Sequence, residues 1–151
     1  MNDAPGERSA RHRVLIIDDE ESTRLLLARY LSKDLKIEAQ LAGTCDEALR
    51  YAGDYAYDAI LLDLMMPGTG GLEVLREIRS ASPNAATPVV VISMLSDPET
   101  IGRCLAAGAS AYHVKPLRRA EIVASIPGAA RLAQETRTVT RTHGTDPHLQ
   151  H

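Results

Sequence analysis

Side chains able to handle a phosphoryl group stand at regular stations along this chain. Asp63 closes the apolar run Ala59-Ile60-Leu61-Leu62 and precedes Leu64-Met65-Met66-Pro67 and a glycine-rich stretch. An apolar strand that ends on a carboxylate and then turns leaves that carboxylate at the rim of a sheet. Asp18-Asp19-Glu20-Glu21 follows Val14 to Ile17, Ser93 closes Val89 to Ile92, and Lys115-Pro116 closes Ala111 to Val114. Three carboxylates in one cleft raise one another's pKa values, and a divalent cation removes that conflict. Mg²⁺ takes oxygen ligands and keeps several waters, so two carboxylates and a carbonyl make a suitable set. In such a site Asp63 is the nucleophile and an aspartyl phosphate the intermediate. Lys115 supplies a point charge for one phosphoryl oxygen, and Ser93 a hydroxyl for another.

These groups need a frame that brings strand ends together. Five apolar runs are read as strands: Arg13 to Asp18, Ile37 to Ala42, Ala59 to Asp63, Val89 to Ser93 and Ala111 to Val114. Amphipathic segments alternate with them. Ser22 to Ser32 carries Leu26, Leu27, Tyr30 and Leu31 on one face, and Gly71 to Ser80 spaces Leu72, Leu75 and Ile78 as a helix does. Cys45 to Tyr55 opens with Thr44-x-x-Glu47, the pattern of a capping box. Asp97-Pro98 starts a fourth helix that stops at Gly108, and a fifth from about Arg118 carries Ile122, Val123 and Ile126. Strict alternation of strand and helix predicts an α/β fold, a doubly wound five-stranded parallel sheet with helices on both faces. The flavodoxin-like strand order 2-1-3-4-5 makes the first and third strands neighbours, which sets Asp18, Asp19 and Asp63 side by side.

Composition agrees with one globular domain. The 151 residues are 44% hydrophobic and 25% charged, with 3% aromatics and neither Phe nor Trp. The core must therefore be aliphatic, as parallel strands covered on both faces require. A net charge of −3 with scattered arginines argues against a nucleic-acid surface. Cys45 and Cys104 lack C-x-x-C spacing and suit a reducing cytosol. The opening stretch from Met1 has no apolar segment of a secretory signal, and no run approaches a bilayer span, so a cytoplasmic location is expected. Residues 1–12 read as a flexible N-terminal segment, 13–130 as the domain, and 131–151 as a polar tail or linker. His143, His148 and His151 lie in that tail with nothing to set a metal geometry, and His113 reads as a packed strand residue.

The chain resembles the receiver domain of two-component response regulators, over roughly Arg13 to Ala130. The resemblance rests on Asp18-Asp19, on Asp63 in a D-x-x-M-P context with Gly71 beyond it, on Ser93, on Tyr112 and on Lys115-Pro116, all in order. It implies a CheY-like phosphoacceptor rather than a conventional enzyme. Asp63 would take a phosphoryl group from a sensor histidine kinase or a histidine phosphotransfer protein. Asp19, Asp63 and the Met65 carbonyl would bind Mg²⁺ directly, and Asp18 through water. Ser93 and Lys115 would bind phosphoryl oxygens, Ser93 and Tyr112 would act as switch residues, and the Lys115–Pro116 bond would be cis. The fourth helix, fifth strand and fifth helix would form the protein-binding face that responds, with a homodimer left open.

Some positions depart from the family pattern. Met94 follows Ser93 where a small residue is usual, and Met65 and Leu95 flank the phosphoryl position with apolar side chains, which implies slow hydrolysis of the phospho-form. Pro127-Gly128 ends the fifth helix early, near Ser125. A single-domain regulator is the first reading. The alternative is the receiver of a longer regulator with a C-terminal DNA-binding or enzymatic domain. A phosphohydrolase of the haloacid-dehalogenase type would carry Asp at the position of Met65, and a flavodoxin-type carrier would not place acids in the first loop.

Overall fold

The computed structural model describes residues 12–32, 36–66, 68 and 70–126. Strands β1 (His12–Ile17), β2 (Ile37–Ala42), β3 (Ala59–Asp63), β4 (Val89–Ser93) and β5 (Ala111–Val114) alternate with helices. These are α1 (Glu21–Ser32), α2 (Cys45–Asp54), α3 (Gly71–Ala81), α4 (Pro98–Ala106) and α5 (Arg119–Ser125). All strand pairs are parallel, and the order is β2-β1-β3-β4-β5, the flavodoxin-like arrangement expected. The tail at 131–151 and the Pro127-Gly128 pair lie outside the described residues. β1 begins at His12 and stops at Ile17, one residue earlier at each end than the apolar run suggests.

Every residue of β3 and β4 is buried, which accounts for their unbroken apolar character. Side chains alternate between two cores. Leu15, Ile17, Ile60, Leu62 and Val91 pack beneath α2, α3 and α4, while Val14, Ile16, Leu61 and Val90 pack beneath α1 and α5. Each Leu or Ile so buried contributes about 1.5–3 kcal/mol, so aliphatic side chains suffice without aromatics. Leu27 and Leu31 seat α1, but Leu26, expected on the same face, is 38% exposed. A helix face about 100° wide cannot turn Leu26, Leu27, Tyr30 and Leu31 inward together.

The helix starts obey local chemistry. Thr44 Oγ1 accepts from the Glu47 N–H at 3.0 Å, and Glu47 Oε1 accepts from the Gly43 N–H at 2.8 Å, one residue before the cap. Asp97 Oδ2 accepts from the Thr100 N–H at 3.0 Å, with Pro98 opening α4. α5 stops at Ser125 as the sequence suggests.

At the amino end of the sheet, Asn84 is fully buried. Its Nδ2 donates to the carbonyls of Ala52 and Tyr55, both at 2.7 Å. Its Oδ1 accepts from the Tyr57 N–H at 2.7 Å and from the Thr87 hydroxyl at 3.0 Å. One side chain thus ties the end of α2 to the start of β3 and to the loop before β4. Removing it orphans buried backbone groups, each of which costs about 1–3 kcal/mol. Asn84→Ala is expected to lower unfolding free energy by about 3 kcal/mol, read from urea denaturation midpoints. A loss within the error of the fit would refute this account of the junction.

Candidate metal and phosphoryl site

Sheet register puts the acids together. Ile17 of β1 pairs with Leu62 of β3, so the residues that follow them, Asp18 and Asp63, are neighbours at the carboxyl edge. The Asp18 N–H donates to the Ala42 carbonyl at 3.1 Å, which continues the β1–β2 ladder by one residue. Asp63 pairs with Ile92 of β4, and Ser93 with Val114 of β5, so the hydroxyl and Lys115 follow along the same edge. The Lys115 N–H donates to the Ser93 carbonyl at 2.8 Å.

The loop after Asp63 folds back on itself because Gly71 lets it. The Gly71 N–H donates to the Leu64 carbonyl at 3.0 Å. A Cβ at Gly71 would stand 2.6 Å from Leu64 Cα and 2.7 Å from the Asp63 carbonyl oxygen, so any side chain would push the loop off the strand end.

Oxygens of Asp18, Asp19 and Asp63 lie within 4.8 Å of one another. Asp18 and Asp63 are buried and Asp19 is exposed. Lys115 Nζ stands 3.6 Å from Asp18 Oδ2 and 3.9 Å from Asp63 Oδ2. Asp18 Oδ1 accepts from the Glu20 N–H at 2.8 Å, and Asp63 Oδ1 from the Met65 N–H at 3.1 Å. Asp18 Oδ2 is buried without a hydrogen-bond donor. Burial pushes the Asp63 carboxyl up to about 6; the charges of Asp18 and Asp19 add to the rise, while the Met65 N–H and Lys115 oppose it. Asp18 is raised by the same burial. A buried oxygen with no donor, among clustered carboxylates whose charged forms are disfavoured, fits a hard divalent cation.

Ser93 is fully buried, and its Oγ accepts from the Leu95 N–H at 3.1 Å. The half-buried Tyr112 donates its hydroxyl to the Leu95 carbonyl at 2.8 Å. Both therefore touch the same residue of the β4–α4 loop. The Lys115–Pro116 peptide is cis. Met65 and Met94 are 55% and 73% exposed, and with the exposed Leu95 they form an apolar rim. His113 Nε2 is hydrogen-bonded to Ser125 Oγ of α5. Spacing alone does not point to Arg24, whose Nη1 donates to the Asp18 carbonyl at 2.6 Å. Its place one turn into the helix after the acids is the trace it leaves in the sequence.

A family model described as the response regulator receiver domain matches residues 14–127. The chain belongs to the response regulator receiver domain family. It is 36% identical over 124 residues to the transcriptional regulatory protein ResD of Bacillus subtilis (strain 168), a match covering 82% of this chain and 50% of ResD. It therefore spans about half the length of that relative. The receiver domain of the sensor histidine kinase PA1611 from Pseudomonas aeruginosa PAO1, with a magnesium ion coordinated in its active-site cleft, superposes with a TM-score of 0.70 at 26% identity. That match covers 82% of this chain and 98% of the other. A response regulator from Burkholderia pseudomallei with a phosphorylated aspartic acid, a calcium ion and citrate superposes with a TM-score of 0.70 at 26% identity, covering 82% of this chain and 72% of that one.

The raised Asp63 carboxyl has a consequence for folding in the absence of metal. Between its ordinary value of 3.8 and about 6, the folded protein holds more proton than the unfolded chain. Stability must then rise as pH falls from about 7 to about 5 in chelator, opposite to a salt-bridged carboxylate. Asp63→Asn is expected to flatten this dependence and to add on the order of 2 kcal/mol near pH 7. Denaturation midpoints across that range test both, and a variant no more stable than wild type would contradict the strain assigned to Asp63.

Proposed function

We propose that this chain is a phosphorylation-controlled switch in which Asp63 is the phosphoacceptor. The observation that carries the reading is the convergence of Asp63 and Asp18 on Lys115 at one strand edge. The donor is a histidine kinase or a histidine phosphotransfer protein. A carboxylate oxygen of Asp63 attacks phosphorus, the N–P bond to the donor imidazole breaks, and the imidazole leaves with that electron pair. Lys115 favours the ionised carboxylate needed for attack and then faces the new phosphoryl oxygens. Asp18, Asp19, Asp63 and the Met65 carbonyl would hold Mg²⁺, which when bound neutralises phosphoryl charge. The magnesium in the Pseudomonas neighbour and the phosphorylated aspartate in the Burkholderia one support this assignment.

Ser93 is the sensor of the phosphoryl group. Its Oγ accepts from the Leu95 N–H, and moving the hydroxyl toward a phosphoryl oxygen, to which it would donate, stretches that bond. That loosens the loop whose Leu95 carbonyl holds Tyr112, and α4, β5 and α5 change together as a two-state element. The apolar rim of Met65 and Leu95 cannot orient an attacking water, so the phospho-form persists. We place the domain at 13–130 in the cytoplasm, where such donors work. No helix among the described residues is long and apolar enough to cross a membrane. The output is a protein contact, either of this domain alone or of a longer regulator such as the half-matched relative.

Incubation with a small phosphodonor and Mg²⁺ should add about 80 Da to wild type and nothing to Asp63→Asn. Equal labelling of the two by intact mass would reject Asp63 as acceptor. Lys115→Ala should lower the labelling rate by about a hundredfold or more, since one preorganised charge is lost from the reacting oxygens. An unchanged rate would remove Lys115 from the site.

A further inference from the structure

Arg24 on α1 grips the backbone of the acid loop. Its Nη1 donates to the Asp18 carbonyl at 2.6 Å. That carbonyl belongs to the peptide joining Asp18 to Asp19. The Asp18 N–H is held too, by the Ala42 carbonyl at 3.1 Å. Asp19 is exposed, and no hydrogen bond or salt bridge among the described residues holds its carboxylate. The aim of Asp19 therefore depends on how the peptide before it is fixed.

The guanidinium lies against Gly43, the residue after β2. A Cβ at Gly43 would stand 2.7 Å from Arg24 Nη1 and 3.2 Å from Cζ. Gly43 does not have the positive φ of Gly68, Gly70 and Gly108, so what an added Cβ would meet there is the end of the Arg24 side chain, which it would displace. Its N–H is taken by Glu47 Oε1 at 2.8 Å, which anchors the loop on which the guanidinium rests.

We propose that Arg24 is a positioning residue for the cation-binding acids, seated in the gap left by Gly43. This rests on the reading that Asp18, Asp19 and Asp63 hold a divalent cation. Charge alone makes arginine a poor neighbour there, because it repels the ion. Its rigid planar fork, however, holds a carbonyl with little further loss of freedom. The two effects carry opposite signs. A neutral replacement tightens Mg²⁺ binding if charge dominates and loosens it if positioning dominates.

The test is Mg²⁺ titration by calorimetry, with phosphoryl uptake from acetyl phosphate at saturating Mg²⁺, on wild type, Arg24→Gln, Gly43→Ala and Gly53→Ala. At Gly53 an added Cβ meets nothing within 4 Å, so that variant serves as the control. Arg24→Gln and Gly43→Ala should each weaken Mg²⁺ affinity by about tenfold, the size of effect seen when groups that orient metal ligands are lost. Gly53→Ala should match wild type. Unchanged or tighter affinity in Arg24→Gln overturns the proposal, as does wild-type affinity in Gly43→Ala. Should Arg24→Gln fail to fold, Gly43→Ala decides alone, since it keeps both the charge and the donor. Wild type that binds no Mg²⁺ overturns this inference together with the phosphoacceptor reading. Wild type that binds Mg²⁺ and labels on Asp63, beside an Arg24→Gln protein of equal affinity, overturns this inference alone.

Discussion

Asp18 and Asp63 are held side by side almost wholly out of water; burial makes both harder to ionise, and the charge of Asp18 adds to the rise at Asp63. Lys115 stands near both, yet at 3.6 and 3.9 Å it makes no close hydrogen-bonded pair with either. Two backbone N–H groups, from Glu20 and Met65, offset part of the cost. Desolvation still dominates, because the Asp63 carboxyl remains raised despite both neighbours that oppose it. Such a site is a store of electrostatic strain that a cation or a change of charge can relieve. The surrounding fold has to be rigid enough to hold it.

That rigidity comes from the sheet. β3 and β4 are buried along their whole lengths, so register cannot slip without turning apolar side chains out of both cores. Gly71 then brings the chain back close enough to cover Asp63. The two ends of the sheet are built differently. At the amino end, backbone groups are tied by buried side chains, although the Tyr57 hydroxyl is itself buried without a hydrogen-bond partner. Asn84 links three segments, and Arg79 donates to the carbonyls of Gly108, Asn84 and Ala85. At the carboxyl end, Asp18 Oδ2 lacks a hydrogen bond and like charges meet. The clustered carboxylates thus sit where the loops leave the sheet, the usual place for a site in open α/β sheets.

The receiver family supplies the fold and the general chemistry, while this chain adds particular features around it. Met65, Met94 and Leu95 present exposed apolar side chains just after β3 and β4. Ser93 and Tyr112 meet at Leu95, so the end of β4 and the half-buried aromatic of β5 share one loop. Arg24 and Gly43 connect the first and second strand ends behind the acids.

Alternation of apolar runs with amphipathic segments was enough to give the parallel order, because a crossover helix between neighbouring strands leaves few arrangements. The residues Asp18, Asp19, Asp63, Ser93 and Lys115 were visible as well, since each follows or closes an apolar run. Helix caps at Thr44 and Asp97 were legible because capping is local chemistry. Other features were not. Leu26 has the same side chain as Leu27, and its exposure follows only from the angle at which α1 lies on the sheet. Asn84 looks like any loop asparagine until the chain brings Ala52, Tyr55, Tyr57 and Thr87 around it. Arg24 and Gly43 stand nineteen positions apart, and neither explains itself without the other. Sequence by itself determined which groups stand at strand ends, because hydrophobic period and turn chemistry act over a few residues. Tertiary structure alone decided how deeply the acids are buried and what holds their backbone, because desolvation and packing depend on segments that meet only when the sheet has closed.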